Sequence, residues 1–541
     1  MSEKEARPKF ADRVVALAEE RVAFYHSPDG TAFADVEIDG VRNTHRVRSA
    51  PFRQFLARAV YAEARTVPPA DAINAALGVL EAKARYDGAV RPVFLRVGGH
   101  AGKIYLDLAD EKWRAVEIDE DGWRIVDRPP VRFRRSAGML PLPAPVRGLG
   151  GVERLRPLLN LEGADDSDGS GWTLAIAWLL AALRDRGPYP LLVLNAEQGS
   201  GKSLASRMLR GLIDPNAAPL RNLPREERDV FISASNGHIL AFDNVSSLQP
   251  WQSDAICRLS TGGGAAYRRL YEDSEEAIFE AQRPIILNGI SDFLTRADAA
   301  DRAIVLDLRA IPEDKRRPES EIMAAYEAAR PAILCDLLDK VVEGLANLPT
   351  TRLASLPRMA DFALWGTACE GGTGALMIAY DINRAEAIET VIAADPVAAY
   401  IDATVNETTP WAGTAGQLLA EIEHKASAGE KSSRAFPKTP KAVREALKRS
   451  APFLRKRGFA INYDRVSRAR IITIERTSAP RKVGATPSQP SSPSPPAIIN
   501  GSRNDGYDDD DGCGPTSRAD CLRCGGEGCG WCGEVTAGAL A

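Results

Sequence analysis

Long hydrophobic runs are missing from this chain. No apolar stretch approaches the roughly 20 residues needed to span a bilayer, so no membrane helix is expected. The start, Met1-Ser2-Glu3-Lys4-Glu5, carries acids and lacks the apolar segment of a signal peptide, which points to the cytoplasm. A strong charge of one sign is also missing. The formal net charge is only -4, so bulk electrostatics do not make the whole chain a polyanion binder, although the charge is unevenly spread. Cysteine is sparse until the far end. Cys257, Cys335 and Cys369 stand apart in apolar, helix-like surroundings and are expected as buried thiols, while the other five of the eight cysteines follow from Cys513 onward.

What is present is length and variety. At 541 residues the chain exceeds one core and predicts roughly three or four folding units. Residues 1–135 mix helix periodicity (Phe10 to Phe24, Phe52 to Arg65, Ala70 to Ala84) with strand alternation (Val36 to Gly40, Lys103 to Asp107, Trp113 to Val126), the pattern of an α+β domain. That stretch holds no paired-acid or metal-ligand constellation, so no chemistry is assigned to it. Pro141, Pro143 and Pro145 mark 136–154 as an extended linker. Over 155–310, apolar strand-like runs alternate with helical stretches, which predicts a parallel sheet covered by helices, and 311–408 reads as a helical extension. Residues 409–477 read as two helices (Gly416 to Ala426, Lys441 to Ser450) and two strands (Phe459 to Tyr463, Arg470 to Glu475), the plan of a winged helix. Ser, Pro, Gly and Asp dominate 478–512, which is expected to be disordered, ahead of a small tail at 513–541.

The clearest chemistry lies in the second unit. Leu191 to Leu194 form a short apolar strand, followed by Ala196, Glu197, Gln198, Gly199, Ser200, Gly201, Lys202 and Ser203, then an amphipathic helix with Leu204, Met208 and Leu209 inward. This is the G-x-x-x-x-G-K-[ST] phosphate loop in its strand–loop–helix setting, with Ala196 in place of the first glycine. The glycines let backbone N–H groups approach an anion, the helix N-terminus favours negative charge, Lys202 reaches the β and γ phosphates, and the Ser203 hydroxyl ligates Mg²⁺.

A second apolar strand, His238 to Phe242, ends in Asp243, placed to hold Mg²⁺ through water. The residue expected to polarise the attacking water is a carboxylate; here it is Asn244, which can orient a water but cannot take its proton. Glu197 or an acid from another subunit could substitute. A third strand, Pro284 to Leu287, ends in Asn288, which fits a γ-phosphate sensor or a plain turn residue before Gly289. Arg296 and Arg302 follow, and a guanidinium delivered to a neighbouring subunit's γ-phosphate would stabilise transition-state charge, although an arginine before a strand is commonly just solvated.

Taken in order, Ala196 to Ser203, Ile239 to Asn244, Ile285 to Asn288 and Asp301-Arg302 resemble the motifs of superfamily 3 helicases, a branch of the AAA+ ATPases. Ser260 to Tyr271 resembles that group's extra motif before a DNA-contacting hairpin. The whole layout is similar to phage and prophage ATP-binding proteins of the primase-helicase type. The resemblance implies a hexameric ring that hydrolyses ATP with Mg²⁺ between subunits and acts on single-stranded or forked DNA. It also implies that Lys202, Ser203 and Asp243 carry nucleotide and metal, that Asn288 is the sensor and Arg302 the finger, and that Arg268 and Arg269 face DNA. No primase active-site pattern is present, so priming would need a separate protein. Two other classes stay open: a slow DNA-binding ATPase switch, and a defence or signalling ATPase that senses nucleic acid.

Between Lys425 and Lys482 seventeen basic residues face four acids, a local excess of +13 in a chain of net charge -4. Such an excess on a helix-and-wing unit is the footprint of phosphate-backbone binding, with Arg455, Lys456 and Arg457 as its densest run. At the far end Cys521, Cys524, Cys529 and Cys532 form C-x-x-C-x4-C-x-x-C among glycines. Two thiolate pairs on tight turns can close a tetrahedral Zn²⁺ site, and the spacing resembles the cysteine-rich repeats of J-domain chaperones; the short gap leaves a redox-sensitive tail as the alternative.

Overall fold

Pairing begins where the first helix stops. The periodic stretch expected to run helically to Phe24 ends at Arg21, because Val22–His26 pairs antiparallel with Ala32–Ile38 and buries Tyr25. The computed structural model describes residues 9–148, 150–161, 169–268, 276–289, 293–433, 435–466 and 469–477, all within one compact unit, Met1–Pro480. Helices Phe10–Arg21, Ala50–Ala64 and Ala70–Tyr86 cover the first sheet, whose core contains Val14, Phe52, Leu77 and Leu80. A second sheet is a meander of Val97–His100, Lys103–Asp107, Ala115–Asp119 and Gly122–Val126, each strand antiparallel to the next.

This second sheet does not close a core of its own. Ile104, Leu106, Val116 and Ile118 share one core with the helix Ser170–Ala182, the phosphate-loop helix Lys202–Gly211 and the helix Glu319–Asn347. The Pro-rich stretch is extended, as its composition requires, but it is bound down along its length. Leu140 N–H donates to Pro215 O at 3.0 Å, Leu142 N–H to Leu108 O at 2.8 Å and Val146 N–H to Pro331 O at 3.2 Å, and Leu142 is buried.

The central sheet is wholly parallel, in the order Leu240–Phe242, Ile285–Gly289, Leu191–Asn195, Ala303–Asp307. Its two inner strands read as continuous apolar runs because helices cover both faces. Leu191, Leu192, Val193 and Leu194 are all buried, and the helix Ser170–Ala182 is buried on nearly every side, which explains its lack of a polar face. An isolated parallel bridge between Arg221 and Phe242 continues the sheet past its edge.

The helical extension comprises Glu319–Asn347, Ala360–Cys369, Ala375–Ala394 and Pro396–Thr404. Cys257, Cys335 and Cys369 are free and buried, as expected. In the basic unit, helices Ala415–Lys425 and Pro440–Lys456 pack on an antiparallel hairpin, Phe459–Val466 with Ala469–Arg476. A strand absent from the sequence reading, Trp411–Thr414, pairs with the outer side of Ala469–Arg476, so that strand is central. Among the described residues no helix is long and apolar enough to cross a membrane. The segment 478–512, Arg269, Cys513 and the four tail cysteines Cys521, Cys524, Cys529 and Cys532 lie outside the described residues.

Candidate nucleotide site

In a parallel sheet every strand delivers its successor loop to the same edge, and that edge is where α/β sheets collect ligands. Register aligns Asn195, Gly289 and Asp307, and Phe242 pairs with Leu287, so the loop after Leu191–Asn195 and the turn after Leu240–Phe242 emerge at the same edge, one on each side of Ile285–Gly289. Gly199 and Gly201 have φ of 82° and 85°, left-handed values that favour glycine and allow the loop to wrap before the helix starts at Lys202. Ser200 is buried and its hydroxyl donates to Glu197 O at 2.9 Å, closing the loop on itself. Lys202 Nζ donates to Ala196 O at 2.8 Å and Glu197 O at 2.6 Å. Partial burial lowers the pKa of this ammonium, and the charge of Asp243 opposes the shift. Of the helix residues expected to point inward, Met208 and Leu209 are fully buried and Leu204 packs partly buried against the same core.

Ser203 Oγ lies 3.0 Å and 3.1 Å from the two Asp243 carboxylate oxygens. The two residues are forty apart in sequence, and the sheet brings them together. Asn244 follows in the left-handed region at φ 55°, a conformation that asparagine tolerates better than most residues. Its side chain is exposed, while its N–H donates to Asp243 Oδ1 and to Asn288 Oδ1, each at 3.0 Å. Asn288 is buried at 1% exposure and its Nδ2 donates to Ser206 Oγ at 2.8 Å. The expected sensor amide therefore ties the phosphate-loop helix to the Asp243 turn. Glu197, considered as a substitute base, is exposed on the loop.

Residues 155–386, which contain this whole arrangement, match the family described as the actinomycete integrative conjugative element replication protein, RepA. Residues 395–491 match the RepA C-terminal domain of the same elements. Both stretches are RepA-like. No curated protein matches the chain. Among solved structures, the apo C-terminal region of NrS-1 (305–718) is 12% identical with a TM-score of 0.39, over 87% of this chain and 100% of that one. Cch of SCCmec type IV, described as an active helicase, is 12% identical with a TM-score of 0.42, over 84% and 93%.

Within the first RepA-like stretch, Arg302 lies at the other edge of the sheet. Its carbonyl accepts from Leu191 N–H, at the start of the strand whose end carries the loop, and five residues of parallel strand separate the two by about 17 Å. Its guanidinium is held by Asp298, through an ion pair and a 2.9 Å bond to the Asp298 carbonyl, with the side chain 15% exposed. Arg296 is likewise held, by Asp254 at 3.0 Å and Pro250 O at 2.7 Å. Gly263–Arg268 and Glu276–Ala281 do form an antiparallel hairpin, with Arg268 paired with Glu276 at its far end.

In the second RepA-like stretch the run Arg455-Lys456-Arg457 divides. Lys456 Nζ binds Asp301 at 2.7 Å, and Arg457 binds Glu389 and Asp402, each at 3.4 Å. Arg455 is exposed. Sequence reasoning also missed residues that frame the loop from elsewhere. Asn160 Nδ2 donates to Ser200 O at 3.0 Å and to Arg309 O at 2.7 Å, joining the loop to the segments on either side. No motif marks it; its left-handed φ of 52° at the end of a short helix is the only local signal.

Proposed function

We propose that this chain is an ATP-dependent DNA helicase or translocase of the superfamily 3 type, which hydrolyses MgATP between subunits of a hexameric ring during replication of an integrated conjugative element. The observation that carries the reading is the meeting of Ser203 with Asp243 at the carboxyl edge of a parallel sheet, beside Lys202. A hydroxyl and a carboxylate are hard oxygen donors, and that set fits Mg²⁺. Bound there, Mg²⁺ would neutralise charge on the β and γ phosphates. Lys202 would leave the carbonyls of Ala196 and Glu197 for the phosphates, the Ser203 hydroxyl would turn from Asp243 to the metal, and Asp243 would hold that metal through water. The RepA likeness supports replication as the setting.

In its own subunit Arg302 lies an entire strand away from the loop, so any finger role would be in trans and would require its guanidinium to leave Asp298. The basic unit, read as a winged helix, would bind the DNA backbone, with Arg455 as its available cation in the run. The four tail cysteines would hold Zn²⁺. Any primer would come from a separate primase.

A second reading is favoured by Asn244. With an amide where the water-polarising acid belongs, the chain would be a slow DNA-binding ATPase switch, a loader or a regulator without unwinding activity. Replacing Lys202 by Ala should abolish ATP turnover by the full-length chain, and unchanged turnover would remove both readings. Strand displacement on a forked duplex then separates them: displacement supports the helicase, turnover without displacement the switch.

A further inference from the structure

The left-handed glycines of the phosphate loop are covered by the segment that follows the last strand of the sheet. A Cβ added at Gly199 would lie 3.5 Å from Arg316 Nη2, and one at Gly201 would lie 3.7 Å from Ile311 Cδ1. The Arg316 guanidinium thus rests against the loop itself, where glycine leaves the backbone bare. The segment is anchored at its start: Leu161 bridges to Leu308, Leu308 N–H donates to Asn195 O at 3.0 Å, and Asn160 holds Ser200 O and Arg309 O together. A short turn, Glu313–Lys315, then sets the position of Arg316.

Arg316 is weakly held where it sits. Its ion pair with Glu313 is long, 3.9 Å, with the two side chains 56% and 92% exposed. The neighbouring Arg317 is bound more closely, to Glu321 at 2.8 Å and 3.0 Å. A guanidinium offers a planar fork of donors that matches phosphate oxygens, so a weakly paired arginine over a phosphate loop is suited to that ligand. Arg302 cannot serve in its own subunit, since it lies at the opposite edge of the sheet.

We propose that Arg316 is a phosphate ligand of the nucleotide in its own subunit, reaching across Gly199 to give the triphosphate a second protein cation beside Lys202. The segment from Leu308 to Arg316 forms one wall of that site. This assignment rests on the nucleotide-binding reading above and names a residue that no motif marks.

The test is titration of the full-length chain with MgATP and, separately, with adenosine, for the unaltered protein and for Arg316→Ala, Arg316→Lys and Arg317→Ala. The expected result is about a tenfold loss of ATP affinity in Arg316→Ala, as for a lost charge-assisted bond. Partial recovery is expected in Arg316→Lys, no change in Arg317→Ala, and no change for adenosine in any variant. Because Arg316 is exposed, its removal should leave the melting temperature unaltered. Arg316→Ala binding ATP as tightly as Arg317→Ala, or losing adenosine as much as ATP, would overturn the assignment while leaving the Lys202 reading intact. Failure of the unaltered chain to bind ATP would overturn both.

Discussion

Lys456 Nζ lies 2.7 Å from Asp301 Oδ1, joining the end of the basic unit's long helix to the residue beside Arg302. Burial works against the Asp301 carboxylate, but Lys456 and Arg384 outweigh it and hold its pKa below the usual carboxylate value. Lys456 is therefore expected to be a tie between the basic unit and the sheet, with Arg455 the better DNA ligand. Arg455→Ala should weaken DNA binding several-fold and lower the salt slope by about one, whereas Lys456→Ala should leave both nearly unchanged. The Lys456 side chain is 40% exposed, so its removal should cost under about 1 kcal/mol of stability. Fluorescence anisotropy across a salt series decides it; equal losses from the two variants would show that Lys456 also reaches DNA.

A different kind of ion pair joins the residue before the second sheet's first strand to the turn after the phosphate-loop helix. Arg96 and Asp214 are 0% and 1% exposed and 3.3 Å apart, with Arg210 completing the cluster at 3.8 Å. Arg96 also donates to Asp107 O at 3.0 Å and Leu140 O at 2.9 Å. Removing Arg96 leaves the buried Asp214 carboxylate with only the longer Arg210 contact and the N–H groups of His238 and Ile239, so Arg96→Ala should cost about 3 kcal/mol, measured by urea unfolding. A loss below about 1 kcal/mol would mean that the second sheet does not share the core as described.

His238 should make stability depend on pH. It is buried, its Nε2 lies 2.7 Å from Ala182 O, and burial pushes its pKa down from 6.5 to about 4, against the pull of Asp214. The folded state therefore keeps it neutral while the unfolded chain protonates it. The stability this contributes is fully present above pH 6.5 and is lost as the pH falls from there towards 4, up to about 3 kcal/mol. Melting temperatures between pH 7 and 4 should fall more steeply for the unaltered chain than for His238→Gln. Parallel curves would exclude His238 as the cause.

The strand–loop–helix around Gly199 and Gly201 was legible because its signals are local. Gly199 and Gly201 stand where the backbone takes left-handed φ, and an apolar strand before them and an amphipathic helix after them fit one structure only. Asp243 was legible for the same reason, as the polar end of a buried strand. The helix end at Arg21 was not, because apolar spacing continues through Val22–His26 and only pairing with Ala32–Ile38 turns those residues into a strand. The framing of the loop by Asn160 and Arg309 joins positions 149 apart, and the tie from Lys456 to Asp301 spans 155, so charge density in the sequence could not show which cations were already engaged.

The tail makes a prediction that rests on spacing alone. Cys521, Cys524, Cys529 and Cys532 can supply four thiolates to one tetrahedral ion, whereas the three described cysteines are separate and buried. Ending the chain after Gly512 should therefore eliminate bound zinc, measured by metal analysis, while ATP turnover persists. Zinc that survives the truncation would have to be held elsewhere.

Asn244 offers the sharpest test of turnover. Its left-handed φ of 55° suits asparagine and aspartate, whereas glutamate there would meet a backbone penalty of about 1 kcal/mol. The shape of the turn thus disfavours glutamate but not aspartate, and it is held by the N–H of Asn244 donating to Asp243 and Asn288. Asn244→Asp keeps that backbone and adds a carboxylate able to accept a proton from water, so it should raise ATP turnover with little change in melting temperature. Asn244→Glu should lower stability, and any gain in rate should be smaller. If neither substitution raises the rate, the missing acid is not what limits catalysis, and the base must come from Glu197 or from a neighbouring subunit.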